Sequence, residues 1–277
     1  MTEIVTADWL AAHINDSNLV VLDASLDILV PGAPEKASVG YIPTAQRFDY
    51  DQDISDEDST LPHMLPSAEK FERRMQQMGI NQDSEIIVYD DTGTYASPRA
   101  WWMFKCFGHD KVKVLSGGIK AWVNCGYKTT ANLSAPNDKN GDFVANFQPP
   151  WFADSDKVLF ASGQSSWTIL DARAKARFYG QVPEPRKGLR SGHIPNSLSL
   201  PYATVLNGDH LKTPQELAHL FDQLEITLSQ RIIASCGSGV TAAILILAAH
   251  QAGYTKLAVY DGSWAEWGQD QALPINK

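Results

Sequence analysis

Ile232-Ile-Ala-Ser-Cys-Gly-Ser-Gly-Val-Thr-Ala-Ala-Ile-Leu-Ile-Leu-Ala-Ala-His250 reads as three elements in succession. Ile232, Ile233 and Ala234 are apolar and fit a short buried strand. Cys236 to Thr241 is a glycine-bearing turn, and Ala242 to His250 is strongly helix-forming and apolar. A cysteine therefore sits where a strand stops and a helix starts. The first turn of a helix has free N–H groups and a partial positive charge, which favours a thiolate there. Gly237 and Gly239 let the backbone curl so that several N–H groups face one point. The turn can thus hold a thiolate together with an anionic group attached to it. The rival reading is a small buried hydrophobe, but a core cysteine has no need of glycines beside it.

The rest of the chain has room for two domains. It is 277 residues long, 44% hydrophobic and 20% charged, as in ordinary globular proteins. A net charge of -9 argues against a nucleic-acid or anionic-membrane partner but not against a small anionic substrate, because local arginines can override a global sign. Three cysteines (Cys106, Cys125 and Cys236) give no disulfide framework and fit a reducing compartment. The start MTEIVTADWLAAHI has no basic segment followed by an apolar core, and Ala242–Ala249 is too short to span a bilayer. The expectation is a cytoplasmic monomer without a membrane or nucleic-acid partner. No cluster has metal-ligand spacing, and Gly117-Gly118 lacks the lysine and serine of a phosphate loop, so no metal and no cofactor are expected.

The chain repeats itself with a period near half its length. Thr6-Ala-Asp-Trp-Leu-Ala-Ala-His and Leu19-Val-Val-Leu-Asp-Ala24 open the first half. Asp154-Ser-Asp-Lys-Val-Leu-Phe-Ala and Trp167-Thr-Ile-Leu-Asp-Ala172 open the second. Each pair predicts a capped helix and then a strand. Tyr41-Ile-Pro-Thr matches His193-Ile-Pro-Asn, and the helix predicted after Ser67 matches one after Thr213, where Glu216 completes a capping box. Aligned on Gly108 and Gly253 without gaps, Asp91 falls opposite Cys236, so the first half has no nucleophile. Alternating strands and helices predict two α/β domains with mostly parallel sheets, whose ligand edges lie at the carboxyl ends of strands. The domains are expected at residues 1–128 and 153–277, joined by an Asn-, Asp-, Pro- and Gly-rich linker over 129–152.

Several motifs now converge. They are Asp171-Ala-Arg, Ala176-Arg-Phe178, Pro183-Glu-Pro-Arg186, Gly192-His-Ile-Pro195, the Cys236 loop and Tyr260-Asp-Gly-Ser-Trp-Ala-Glu-Trp267. With Phe48-Asp-Tyr-Asp51, Leu61-Pro-His-Met-Leu-Pro66, Val88-Tyr-Asp90 and Pro98-Arg-Ala-Trp-Trp102, they resemble the two-domain rhodanese superfamily over essentially the whole chain. The loop Cys236-Gly-Ser-Gly-Val-Thr241 resembles the 3-mercaptopyruvate sulfurtransferase branch. Thiosulfate sulfurtransferases typically carry Arg and Lys directly after the cysteine. The resemblance implies two tandem rhodanese-like domains. It also implies transfer of sulfur from 3-mercaptopyruvate to Cys236, release of pyruvate, and delivery of the persulfide sulfur to a thiol, thioredoxin or cyanide.

Arginine presents a planar fork that matches a carboxylate. Arg177 and Arg186, in the loop after Asp171, are the candidates for the keto-acid carboxylate and carbonyl, and the resemblance gives them that role; the alternative is that they pair with Glu184. Gly237, Gly239, Val240 and Thr241 would line the donor site with backbone N–H groups. Ser238 can donate to a thiolate or to the departing enolate, and the resemblance joins it in a proton relay to Asp51 and His63. Taken without the resemblance, His63 is a loop histidine and Asp51 one of a solvated acidic run. The neutral side chains of the loop disfavour a dianion such as thiosulfate, yet a thiosulfate sulfurtransferase using the same cysteine stays open. A non-catalytic sulfur-carrying or binding module is the more distant alternative. Cysteine phosphatases and arsenate reductases need an arginine six positions after the cysteine, where Ala242 stands.

Overall fold

The structure is a computed structural model and describes residues 2–27, 33–136 and 139–277. Asn137 and Asp138 of the expected linker lie outside the described residues.

The first half runs β1 (Ile4–Val5), α1 (Ala7–His13), β2 (Leu19–Asp23), β3 (Gln46–Arg47), α2 (Ala68–Gln77), β4 (Glu85–Tyr89), α3 (Ser97–Cys106), β5 (Val112–Leu115) and α4 (Gly118–Asn124). The second runs β6 (Phe152–Ala153), α5 (Ser155–Ser162), β7 (Trp167–Asp171), α6 (Lys175–Phe178), β8 (Ser197–Ser199), the short pair β9 (Leu206–Asn207) and β10 (His210–Leu211), α7 (Pro214–Gln223), β11 (Arg231–Ser235), α8 (Val240–Gln251), β12 (Leu257–Tyr260) and α9 (Ser263–Trp267). Among the described residues each half forms a five-stranded sheet, β1-β5-β4-β2-β3 and β6-β12-β11-β7-β8. All neighbours in both are parallel, as expected. With β9 and β10 set aside the two orders are the same permutation, so the sequence repeat is a repeat of topology.

Parallel strands are covered on both faces, and successive side chains serve opposite faces. In the first sheet Ile87 and Tyr89 of β4 join Leu10, Ile119 and Trp122 in one core beneath α1 and α4. On the other face Phe71, Phe104, Phe107 and Phe143 form an aromatic cluster. In the second sheet Ile233, Ala258 and Tyr260 pack with Val158, Trp264 and Trp267. Helix α8 packs on β11, β12 and α7. It is apolar all round because Ala242 to Ala249 are all buried. Caps fall where the sequence puts them. Thr6, Ser67 and Asp154 accept from backbone N–H groups of their helices, and Thr213 with Glu216 closes a capping box.

Two compact units emerge from the contacts. The first comprises Met1–Glu57, Leu65–Gln148 and Gly208–Leu211; the second comprises Asp58–Met64, Pro149–Asn207 and Lys212–Lys277. Within the first unit the stretch after residue 140 is stitched down by backbone hydrogen bonds. Gly141 N–H donates to Gln76 O, Phe143 N–H to Ile80 O and Gln148 N–H to Cys106 O, at 2.8, 3.2 and 2.7 Å. A Cβ on Gly141 would stand 1.9 Å from Ile80 O, a clash that only backbone movement relieves. Gly141→Ala is therefore expected to destabilise by about 2 kcal/mol or more, read as a lower urea midpoint at unchanged slope.

Candidate active site

The loop begins on the middle strand of the second sheet. β11 lies between β12 and β7, and Ser235 pairs in register with Asp171 at the end of β7. Beyond Ser235 the chain turns through Cys236–Gly239 and enters α8 at Val240, two residues earlier than the sequence reading placed the helix. Gly239 is the N-cap, at φ 81° in the left-handed region that glycine adopts without cost. Cys236 is 2% exposed, and Ser238 and Val240 are buried. Thr241 is half-buried.

The loop is held from below. Cys236 N–H donates to Ser263 Oγ at 3.1 Å, and Ser263 Oγ donates to Tyr260 O at 2.8 Å. Cys236 O accepts from Trp264 N–H and Gly237 O from Ala265 N–H, at 3.0 and 2.9 Å. Both carbonyls are thus turned toward α9. Among the described residues no acceptor faces the N–H groups of Gly237 or Ser238. Donors left open at a helix N-terminus suit an anion.

Arginines close over this backbone. An ideal Cβ on Gly237 would lie 3.3 Å from Arg177 Nη2 and 3.8 Å from Arg186 Nη1, so the two guanidiniums reach the loop because residue 237 has no side chain. Arg177 comes from α6, and Arg186 from the segment between α6 and β8. Their pairing with Glu184, raised above as an alternative, holds for Arg177. Its Nη2 donates to Glu184 Oε2 at 2.5 Å and its Nε to Oε1 at 3.3 Å. Glu184 also accepts from Arg173 Nη1 at 2.8 Å. Arg173 in turn grips Asp171 through Nε and Nη2, donates to Gly192 O and lies 4.1 Å over the Trp264 ring. Burial pushes the Arg173 pKa down, but Asp171 and Glu184 more than reverse this and raise it. Arg177 keeps 22% of its side chain exposed, against 1% for Glu184 and Arg173.

The remaining sequence candidates, Asp51 and His63, fall in different units. Asp51 belongs to the first unit, where its N–H donates to Asp49 Oδ1 and its Oδ2 accepts from Gln52. His63 belongs to the second unit, in the segment Asp58–Met64, with a left-handed φ of 62°. Two residues were missed as parts of the site. Ser263 stands in a quoted motif but carried no assigned role. Glu184 was weighed only as a competitor for the arginines, although its place inside Pro183-Glu-Pro-Arg186 was a usable signal.

In the first half Tyr89 pairs with Asp23 as Ser235 pairs with Asp171, so Asp90 stands at the place of Cys236, one residue before the position the ungapped alignment gave, and Asp91 follows it beside a cavity of about 290 Å³ lined by Asp23, Ser25, Tyr41 and Tyr89. Its carboxylate pairs with Lys36 Nζ at 3.2 Å. Burial raises the Asp91 pKa, and Lys36 offsets part of the rise.

A pair of doubly covered parallel α/β units, one with a cysteine turn under two guanidiniums and one without, defines a class of two-domain proteins built for an anion beside a thiol. The family described as rhodanese-like domain matches residues 6–125 and 155–270, and the chain belongs to that family. It is 40% identical to 3-mercaptopyruvate sulfurtransferase of Escherichia coli (strain K12), over 99% of this chain and 98% of that one. It is 38% identical to thiosulfate/3-mercaptopyruvate sulfurtransferase 1, mitochondrial, of Arabidopsis thaliana, over 98% of this chain and 77% of that one. The crystal structure of the Escherichia coli 3-mercaptopyruvate sulfotransferase superposes with a TM-score of 0.81 at 39% identity, covering 95% of this chain and 99% of that one.

Two outcomes follow from this geometry. Gly237→Ala should leave folding intact, since the Cβ meets only the side-chain ends of Arg177 and Arg186, while displacing the Arg177 guanidinium and lowering kcat/KM for an anionic sulfur donor roughly tenfold. Asp91 has a folded pKa above its unfolded one, so its contribution to stability is present at low pH and lost as pH rises through the folded value. Asp91→Asn should therefore gain on the wild type in urea denaturation between pH 4 and pH 8, with no gain at the acid end.

Proposed function

We propose that the protein is a 3-mercaptopyruvate sulfurtransferase. The observation that carries the reading is the convergence of Arg177 and Arg186 on the backbone of Gly237, directly after Cys236. The names of the full-length relatives agree with it. The two guanidiniums take the donor's carboxylate and carbonyl oxygens, which sets the donor's sulfur toward Cys236. The Cys236 thiolate attacks that sulfur, and the carbon–sulfur bond breaks. Its electron pair passes to carbon as the enolate of pyruvate, which is protonated and leaves. The sulfur is oxidised to a persulfide while the carbon is reduced, so no outside electron carrier is needed. A thiol, thioredoxin or cyanide then attacks the outer sulfur and restores the thiolate.

The N–H groups of Gly237, Ser238, Gly239, Val240 and Thr241 supply the cradle for developing negative charge. Ser238 and His63 serve the protonation of the enolate. The enzyme works as a cytoplasmic monomer, with a catalytic second domain over 153–277, a first domain over 1–128 that lacks the nucleophile, and residues 129–152 between them. Among the described residues no helix is long and apolar enough to cross a membrane. Thiosulfate is the second donor to consider, because thiosulfate sulfurtransferase of Rattus norvegicus is 37% identical over 95% of this chain.

Pyruvate and thiocyanate formation from 3-mercaptopyruvate and cyanide, measured beside thiosulfate turnover, tests the reading. Cys236→Ser is expected to lose turnover by at least about a thousandfold. Arg186→Ala is expected to raise KM for 3-mercaptopyruvate roughly ten- to a hundredfold, the worth of a charge-assisted hydrogen bond, with alkylation of Cys236 by neutral iodoacetamide unchanged. Preference for thiosulfate in the wild type would replace the donor. An unchanged KM in Arg186→Ala would overturn the carboxylate assignment.

A further inference from the structure

Three guanidiniums and two carboxylates form one continuous chain of contacts at the loop: Asp171, Arg173, Glu184, Arg177 and, across Gly237, Arg186. Arg173 spends its donors on Asp171, Glu184 and Gly192 O. Glu184 is the unusual member. Its carboxylate is 1% exposed, yet it binds the structural Arg173 with one oxygen and the loop-facing Arg177 with both. Its position subtracts one unit of charge directly behind the donor site, so the chain of contacts carries a surplus of one positive charge, not two.

We propose that Glu184 is a specificity-determining residue that matches the site to a singly charged sulfur donor and against a doubly charged one. This rests on the reading that Arg177 and Arg186 hold the donor's carboxylate. Beside the Cys236 thiolate this surplus is small, so the charge of Glu184 weighs on the donor, and it opposes a dianion such as thiosulfate more than a monoanion. An added positive charge acts on a dianion twice as strongly as on a monoanion, whatever other charges the site contains. Electrostatic choice of donor is therefore set from behind the arginines, by a residue that does not touch the donor, and the neutral loop side chains are only part of it. Glu184 also fixes Arg177 in rotation by engaging Nε and Nη2, which aims the remaining donors at Gly237.

The test is a ratio. With cyanide as acceptor, kcat/KM for thiosulfate divided by that for 3-mercaptopyruvate is measured in wild type, Glu184→Gln and Glu184→Asp. Glu184→Gln keeps an acceptor oxygen and removes the charge, so the ratio should rise roughly tenfold. Glu184→Asp keeps the charge and shortens the reach, so both donors should weaken while the ratio stays within about twofold of wild type. An unchanged ratio in a folded Glu184→Gln, or the same rise in both variants, overturns the proposal. Arg186→Ala in the same assay keeps the two claims apart: if it still impairs 3-mercaptopyruvate, only the role of Glu184 has failed. Should Glu184→Gln not fold, the wild type decides through competitive inhibition by propionate and malonate. Malonate binding no tighter than propionate supports the single surplus charge, and malonate binding about tenfold tighter overturns it.

Discussion

Arg173 sets the terms for the second half of the chain. A guanidinium with 1% of its side chain exposed stays charged, and a buried charge is tolerable only when it is both paired and fully hydrogen-bonded. Asp171 supplies one partner from the end of β7, Glu184 a second, Gly192 a carbonyl and Trp264 a ring face. These partners come from separate stretches of chain, and Arg173 ties them together. The segment from α6 to β8, which has little regular structure of its own, is thereby folded back onto the strand ends. Arg177 and Arg186 are carried on that segment. Placing two cations beside the cysteine turn thus depends on a third that is engaged by Asp171, Glu184 and Gly192.

Local signals were legible where a residue's own backbone habit decides the outcome. The caps at Thr6, Asp154 and Thr213 and the buried strand before Cys236 follow from sequence alone, whereas the N-cap at Gly239, two residues ahead of the expected helix start, does not. The repeat carried the sheet order, because matched strand–helix strings close in the same way. What escaped was pairing between distant groups. The sequence shows that Glu184 stands among several arginines, but not that it bridges two of them. The stretch after 129 has the composition of a linker, while its second part is held to the first unit through backbone N–H groups, which composition does not report. The inclusion of Asp58–Met64 in the second unit and Gly208–Leu211 in the first is likewise a matter of packing over long separations.

The two halves separate scaffold from chemistry. Both deliver the residue after a central strand to the carboxyl edge of a five-stranded sheet. In one half that edge presents sulfur under arginines. In the other it presents Asp90, whose carboxylate accepts from the N–H groups of Thr92, Tyr95, Ala96 and Ser97, with Asp91 next to it paired with Lys36. A fold of this kind fixes where a reactive group will stand, and the neighbouring loop decides what the group can be.

The three thiols differ in the company they can keep. Cys125 is exposed at the end of α4, Cys106 is closed inside the core of the first unit, and Cys236 shows 2% of its surface at the bottom of a turn. Bulky thiol reagents will therefore mark Cys125 and report little about Cys236. Small, flat or anionic molecules have the better access to the sulfur beneath the guanidiniums. Colour or mass labels used to count reactive sulfur in this chain need Cys125→Ser as their starting point, or the signal will come from a residue at the surface.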